Sequence, residues 1–170
     1  MVMKLIGAGC VIAGCGCVGF RIAACHRQEE KYLRQLVSIL DYMTCELQYR
    51  MTPLPELCRR AATEFPNVPG VIFMELANRM DARISPDIDV CMSSALEKYK
   101  QVPQHTRAEL ELLGKSVGRF DLTGQLQGLA AVRQDCVRIL EELSADRDVR
   151  LRSYQTLGLC AGAALAILFV

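Results

Sequence analysis

The chain has 170 residues and a formal net charge of +1, which leaves room for one modest domain without the basic stripe that a nucleic-acid binder needs. Its nine cysteines form no C-x-x-C pair, and His26 and His105 are its two histidines, which disfavours a zinc site and a disulfide framework. We therefore expect the cysteines to be small buried hydrophobes, and we expect no metal and no cofactor.

The first apolar segment, residues 5–24, is rich in glycine and carries one charged side chain, Arg21. Twenty helical residues span about 30 Å, the thickness of a bilayer core, and small residues let membrane helices approach each other. Residues 1–24 are therefore predicted to form an N-terminal transmembrane helix. Small residues four apart form its predicted helix-contact face: Gly9, Ala13, Cys15 and Gly19.

The same segment also has the features of a lipoprotein signal sequence. Short runs of small residues precede Cys15 and Cys25, as they do at lipoprotein processing sites. Cleavage there would give a lipid-anchored or secreted helical binding module. That outcome stays open as the alternative to a protein with two membrane spans.

The last part of the chain, residues 121–170, contains no proline and is predicted to form one nearly continuous helix. Its final segment, 154–170, is apolar and is predicted to be a C-terminal transmembrane helix, near the lower length limit for a span. Gly158 and Gly162, four residues apart, would form the helix-contact face of this span.

Basic residues indicate which side of the membrane the middle of the chain occupies. Lys4 stands on the outer side of the predicted spans. The basic residues on the inner sides are Arg21, Arg27, Lys31, Arg34, Arg147, Arg150 and Arg152. The positive-inside rule therefore predicts that residues 25–153 lie in the cytoplasm and that both termini lie outside.

The middle of the chain, residues 25–153, has helical periodicity with short connections, which predicts an all-α bundle of about six helices. An apolar stripe in the first of these helices ends at Met51, and Val71 is assigned to the inner face of the third. Between the first and second helices, Thr52 is predicted to be the N-cap and Pro53 the first helical residue.

A glycine-rich junction joins the fifth predicted helix to the long last helix. Gly118 is suited to end the fifth helix in the left-handed conformation, and Asp121 is suited to cap the last helix. Gly124, in the first turn, would let another helix approach closely. Together with Gly114 and Gln125, these residues are predicted to form either a structural corner or a partner contact.

The residues that carry chemistry do not form the pattern of an enzyme. Gly114-Lys115-Ser116 is similar to the end of a phosphate-binding loop, but Glu109 stands where that loop needs glycine and a helical segment precedes it. The two histidines do not support a hydrolase triad, and the carboxylates scatter over helix surfaces. We therefore predict that the chain is not an enzyme.

The order of these parts resembles the stage III sporulation protein AB family. The matching parts are the glycine-rich span that ends in Gly19-Phe20-Arg21, the segment from Cys45 to Glu56, the corner from Leu113 to Gln125, and the short apolar tail. Arg50 and Phe120 are bulkier than the residues that we expect at those places in the family.

This resemblance implies a sporulation channel apparatus in the mother-cell membrane. It also implies a soluble domain similar to the cytoplasmic domain of the inner-membrane platform protein of type II secretion and type IV pilus machines. The implied partners are a secretion-type ATPase, stage III sporulation protein AA, and other channel proteins, with contact between copies of the chain left open. Candidate partner contacts in the matching segment are Tyr49, Thr52, Pro53 and Leu54.

Overall fold

The computed structural model describes residues 27–82, 87–117 and 121–169, and it describes side chains as far as residue 145. These residues form six helices and no strand, so the predicted all-α bundle is confirmed. The helices are α1 (27–50), α2 (Leu54–Glu64), α3 (Val68–Asp81), α4 (Ile88–Glu97), α5 (Gln104–Val117) and α6 (Leu122–Phe169). The prediction of one long last helix is confirmed by α6, which has 48 residues.

Helices that follow each other in the chain from α2 to α6 pack side by side. For α3 and α4, two polar contacts show how the two helices run relative to each other. Arg79 Nη1 donates to Ser94 Oγ at 2.5 Å, and Lys98 Nζ donates to Glu75 Oε1 at 2.7 Å. Glu75 precedes Arg79 in the chain, whereas its partner Lys98 follows Ser94. The two helices are therefore antiparallel.

Helix α6 closes the bundle by packing against both α5 and α1. Gly128 of α6 lies against Ser116 of α5, and Arg133 Nε donates to Asp41 Oδ1 of α1 at 2.5 Å. In the first turn of α1, Glu29 contacts His105 in the first turn of α5.

These contacts define two ends of the bundle. We call one end of the bundle the proximal end. Helix α1 begins there, and α6 leaves the bundle there. The opposite end, which we call the distal end, holds the turn between α1 and α2 together with the end of α5 and the start of α6. Both routes out of the bundle therefore lie on the same side of the molecule.

The core is one continuous cluster of apolar side chains from all six helices. Cys58, Cys91 and Cys136 are buried in it, as predicted, whereas Cys45 is exposed and is an exception. Burial raises the pKa of the Cys58 thiol to about 12, so this side chain acts as a small hydrophobe. The largest fully buried side chains are Phe73, Leu33, Leu36, Ile39, Leu40, Met43, Leu57, Ile72, Met92, Leu96, Leu110 and Leu113.

Two residues that the periodicity assigns to the core face solvent instead. Met51 is 70% exposed, because α1 ends at residue 50 and Met51 takes a positive φ of 49° that turns it out of the apolar stripe. Val71 is 45% exposed, because the first turns of α3 face the core through Ile72 and Phe73. Both assignments were wrong.

The predicted start of the second helix was also wrong, by one residue. Helix α2 begins at Leu54, and Pro53 is its N-cap with non-helical backbone angles (φ −57°, ψ 143°). Thr52 does not cap the helix, because its hydroxyl instead donates to Glu46 Oε2 at 3.4 Å. The proline that lies inside the first turn, where a missing N–H costs nothing, is Pro55.

No helix in the described ranges is both long enough and apolar enough to cross a membrane. The predicted N-terminal span, with Gly9, Ala13, Cys15 and Gly19, lies outside the described residues. Gly158 and Gly162 of the predicted C-terminal span lie in the part of α6 where the structure describes the backbone only. Both spans, and the domain limits at 24 and 153, stay predictions.

We predict that Gly114→Ala lowers the free energy of unfolding by about 1–3 kcal/mol, because a Cβ at this position would lie 2.8 Å from Met92 Cβ on α4. Denaturant titration of the full-length protein in detergent, followed by circular dichroism, measures the change. Ala131→Gly on the exposed side of α6 is a control for helix propensity alone, which accounts for about 1 kcal/mol. A Gly114→Ala protein as stable as wild type would contradict this close helix contact.

Candidate partner-binding surface

The distal end brings together the two segments in which the sequence placed candidate site residues. Leu54, in the first turn of α2, and Gly114, near the end of α5, line the same small internal cavity. Its volume is about 10 Å³, which is room for about one water molecule. The other lining residues are Met43, Cys58, Phe73, Leu76, Ile88, Met92, Leu113 and Val117. The two segments thus meet through the core rather than around a ligand pocket.

The corner between α5 and α6 has the predicted cap. Asp121 Oδ1 accepts a hydrogen bond from the backbone N–H of Gly124 at 3.0 Å, and the carbonyl of Asp121 accepts one from Gln125 at 2.9 Å. The carboxylate therefore satisfies a free N–H group of the first turn, where its charge also suits the helix dipole. Gly118, the predicted end of the fifth helix, lies outside the described residues.

Close approach between helices occurs at two glycines of this corner region. Gly114 is one, and the sequence singled it out. The other is Gly128, where an added Cβ would lie 2.9 Å from Ser116 Cβ on α5. The sequence analysis missed Gly128, although its spacing of four residues from Gly124 was a signal, since residues four apart share one helix face.

The turn between α1 and α2 exposes two large apolar side chains that are two residues apart in the chain. Tyr49 is 80% exposed and Met51 is 70% exposed. The backbone N–H of Met51 donates to the carbonyl of Leu47 at 3.2 Å, which closes the last turn of α1. Of the candidate contacts in this segment, Tyr49 and Pro53 are exposed, Leu54 is half-buried and Thr52 is buried.

Glu46 organises the charges around this turn. Its Oε1 lies 3.2 Å from Arg50 Nη1, and its Oε2 lies 3.5 Å from Arg60 Nη1 and 3.4 Å from the Thr52 hydroxyl oxygen. The glutamate side chain is only 11% exposed, whereas Arg50 and Arg60 are 65% and 42% exposed. Sequence reasoning gave Glu46 no role, although the Glu46–Arg50 spacing of four was a signal for an ion pair on one helix face.

Further ion pairs continue from this turn along α2. Glu56 Oε1 accepts from Arg60 Nε at 3.0 Å, and Glu56 Oε2 accepts from Arg59 Nη1 at 3.1 Å. Hydrogen bonds from Arg60 and then from Arg59 lower the pKa of Glu56. Arg59 also pairs with Asp81 at the end of α3, which ties α2 to α3. We call the exposed group Tyr49, Arg50, Met51 and Arg60 the distal patch.

A second polar group lies where α1, α5 and α6 meet, and it runs from His105 at the surface, whose side chain is 57% exposed, to two buried glutamates. His105 Nδ1 and the backbone N–H of His105 lie 2.8 and 3.2 Å from Glu29 Oε1, and Glu29 is 9% exposed. One turn along α5, Glu109 is 8% exposed, and its Oε2 has no hydrogen-bond partner. Burial and then Asp135 raise the pKa of Glu109, against smaller opposite effects of Arg138 and His105. The charged form of Glu109 is therefore disfavoured at this position.

Among the residues for which the structure gives side chains, no three His, Cys, Asp or Glu groups are arranged to hold a metal ion. The described residues form an up-and-down helical bundle.

The chain belongs to the stage III sporulation protein AB family, because the family model described as Stage III sporulation protein AB matches residues 4–170. Stage III sporulation protein AB of Bacillus subtilis (strain 168) is 24% identical over 178 residues, which cover 99% of this chain and 99% of that protein. A solved structure of a stage III sporulation protein AB has a TM-score of 0.63 at 16% identity and covers 72% of this chain and 98% of that chain, so the two share a fold. The resemblance inferred from the sequence is confirmed.

We predict that Glu109→Gln raises stability at neutral pH and removes part of its pH dependence. The folded state holds the Glu109 proton above the ordinary pKa of 4.5, so it binds more protons than the unfolded state in that range and stability falls as pH rises through it. Denaturation midpoints of wild type and variant, measured in steps from pH 4 to pH 8, should diverge as pH rises. Glu141→Gln, an exposed glutamate on α6, is the control; equal divergence in both variants would contradict the role of burial.

Proposed function

We propose that the protein is a non-enzymatic membrane scaffold of the stage III sporulation apparatus. In this proposal, two membrane segments hold the helical bundle in the cytoplasm of the mother cell. The bundle couples a cytoplasmic secretion-type ATPase, stage III sporulation protein AA, to assembly of the channel in the mother-cell membrane. Membership of the family implies a role in the sporulation apparatus, and the anchoring and motor coupling are our proposal.

The observation that carries this proposal is the arrangement of the two routes out of the bundle. Helix α1 starts at the proximal end, immediately after the apolar segment 5–24, and α6 leaves at the same end toward the apolar residues 157–170. A bundle with both apolar segments on one side is suited to stand on one membrane surface. The distal end is then directed into the cytoplasm, where a soluble ATPase can reach it.

The charges at the proximal end support the orientation. Arg27, Lys31 and Arg34 follow the first apolar segment, and Arg147, Arg150 and Arg152 precede the last one. An excess of Lys and Arg close to membrane spans is typical of the cytoplasmic side. Anionic lipids of the inner leaflet attract such residues by about 1 kcal/mol each, which would hold the proximal end against the membrane.

We predict that Cys45 reacts with a membrane-impermeant maleimide in inverted membrane vesicles and not in intact spheroplasts. Cys45 is exposed, whereas burial raises the pKa of Cys58 and Cys136 to about 12, and a thiol without its thiolate form is a poor nucleophile. The labelling that is lost in Cys45→Ser measures the contribution of Cys45 alone. Labelling of Cys45 in spheroplasts would place the domain outside and would end the motor-coupling proposal.

We also predict that the full-length protein in lipid nanodiscs binds the purified ATPase. Binding is measured without nucleotide, with ADP and with a non-hydrolysable ATP analogue, because a motor changes shape between these states. Absence of binding in every state would refute the coupling. Intact mass of the membrane-extracted protein tests the alternative of a lipid-anchored or secreted module, since cleavage before Cys15 or Cys25 would remove the N-terminal segment.

A further inference from the structure

We propose that residues 135–143 of α6 separate from α5 in a proton-linked step, in which Glu109 holds a proton while this part of α6 is docked and releases it when the segment opens. The docked state is then favoured at low pH, and opening becomes easier as the pH rises. This step is separate from the proposed function, because the groups that carry it lie within the bundle. They are the buried carboxyl of Glu109, the charges around it, and the packing of α6 in this region.

Glu109 lies at the contact between α5 and α6 with one oxygen unpartnered. The residue is 8% exposed, and its Oε2 forms no hydrogen bond. Thr106, one turn earlier on α5, is fully buried, and its hydroxyl has no partner either. An ionised carboxylate in such a position has lost its hydration without gaining a hydrogen bond in return, so the packed helices favour the protonated form. When α6 separates, water reaches this oxygen and the carboxylate can ionise.

The charges around Glu109 leave its ionised form without an effective partner. The titratable and charged groups that surround it are His105 on α5, Asp135, Cys136 and Arg138 on α6, and, on α1, Glu29, which contacts His105. Burial and then Asp135 raise the pKa of Glu109, and the opposite effects of Arg138 and His105 are smaller. Arg138 donates to Asp135 and to Glu142, each at 3.1 Å, so its charge is shared with carboxylates of its own helix.

The contact between His105 and Glu29 acts in the same direction. Nδ1 of His105 lies 2.8 Å from Glu29 Oε1, and the contact is an ion pair only when the imidazole is protonated. The His105 side chain is 57% exposed, so it exchanges protons with solvent. Acidification therefore strengthens this contact and favours neutral Glu109 at the same time. Two groups on neighbouring turns of α5 thus tighten the contact between α1, α5 and α6 at low pH.

The apolar packing of α6 becomes looser toward the proximal end. Val132 and Cys136 are at most 1% exposed, whereas Ile139 is 8% exposed. Leu140 and Leu143, which follow, are only partly buried. Segments with fewer buried apolar contacts open at a lower free energy than the whole fold. This part of α6 is therefore expected to open more easily than the part that precedes it.

Cys136 can report the opening, because it lies in the segment beside Glu109 and is fully buried. Burial, and then Glu109 and Asp135, raise the pKa of its thiol to about 12, so the thiol reacts when the segment opens and not before. The full-length protein in lipid nanodiscs is labelled with a methanethiosulfonate reagent in steps from pH 5 to pH 8. Peptide mass spectrometry then reads each cysteine separately.

The opening constant is the labelling rate of a cysteine divided by its rate in the denatured protein at the same pH. Cys58, fully buried in α2, measures global unfolding in the same sample. We expect the constant of Cys136 to exceed that of Cys58 by about tenfold or more and to depend less on urea, because only part of α6 opens. Equal constants at the two cysteines would show global unfolding and would overturn the local step.

The proton linkage is tested by the pH series of the wild-type protein, which needs no variant. We expect the Cys136 constant to rise severalfold from pH 5 to pH 8, because the docked state binds the Glu109 proton above the ordinary pKa of 4.5 and loses stability as the pH rises through that range. A constant that does not change with pH would overturn the linkage. No ATPase is present, so the result is independent of the coupling test.

Variants identify the group that holds the proton. In Glu109→Gln, which keeps the size of the side chain, we expect the Cys136 constant to stay near the low-pH value of wild type over the whole range. Glu141→Gln, an exposed glutamate on α6, is the matched control and should follow wild type. His105→Gln should keep most of the rise. Persistence of the rise in Glu109→Gln, or its loss in His105→Gln, would assign the proton to another group and overturn the inference. Circular dichroism at each pH confirms that the variants are folded.

Discussion

The close packing of α5 against its two neighbours is the constraint on which the bundle depends. At Gly114 the helix approaches α4, and at Ser116 it receives Gly128 of α6, with no room for another carbon atom at either glycine. These two contacts set how closely α5 packs against α4 and α6. They also bring the end of α5 to the cavity that Leu54 lines, so the turn between α1 and α2 is supported by the same packing.

Polar groups at the two ends of the bundle differ in how completely they are paired. At the distal end, Glu46 has two arginines and a hydroxyl as partners. Toward the proximal end, the oxygen of Glu109 and the hydroxyl of Thr106 are buried without hydrogen-bond partners. Unsatisfied buried groups reduce stability, so the α1–α5–α6 contact is weaker in this region than its apolar content alone would make it.

Much of the architecture could be predicted from the sequence because it follows from local patterns. Helical periodicity identified the bundle and most of its core, and the spacing of Asp121 before α6 identified a cap that the structure contains. The errors occurred where a distant residue competes for a group. Glu46, on the preceding helix, takes the Thr52 hydroxyl that was expected to cap α2, and no local pattern shows such a contact.

The candidate surface was predicted less completely than the fold. Tyr49 was selected and is exposed, but Met51 was assigned to the core because periodicity alone does not show where a helix stops and the backbone turns. Arg60 was not selected, since its link to Glu46 joins two helices. Charge at a surface depends on which carboxylates are covered, and that becomes visible only when the helices are packed.

Helix α6 is unbroken, so one continuous backbone joins the distal end of the bundle to the C-terminal end of the helix. The helix has 48 residues, so it is about 72 Å long, and Leu143 is the last of its described side chains that packs against the core. The part of the helix that follows Leu143 is about 39 Å long. Because no proline interrupts the ladder of hydrogen bonds, a tilt of the bundle by about 10° moves the far end of this lever by about 7 Å. Small angular changes at one end thus become displacements larger than one helical turn at the other.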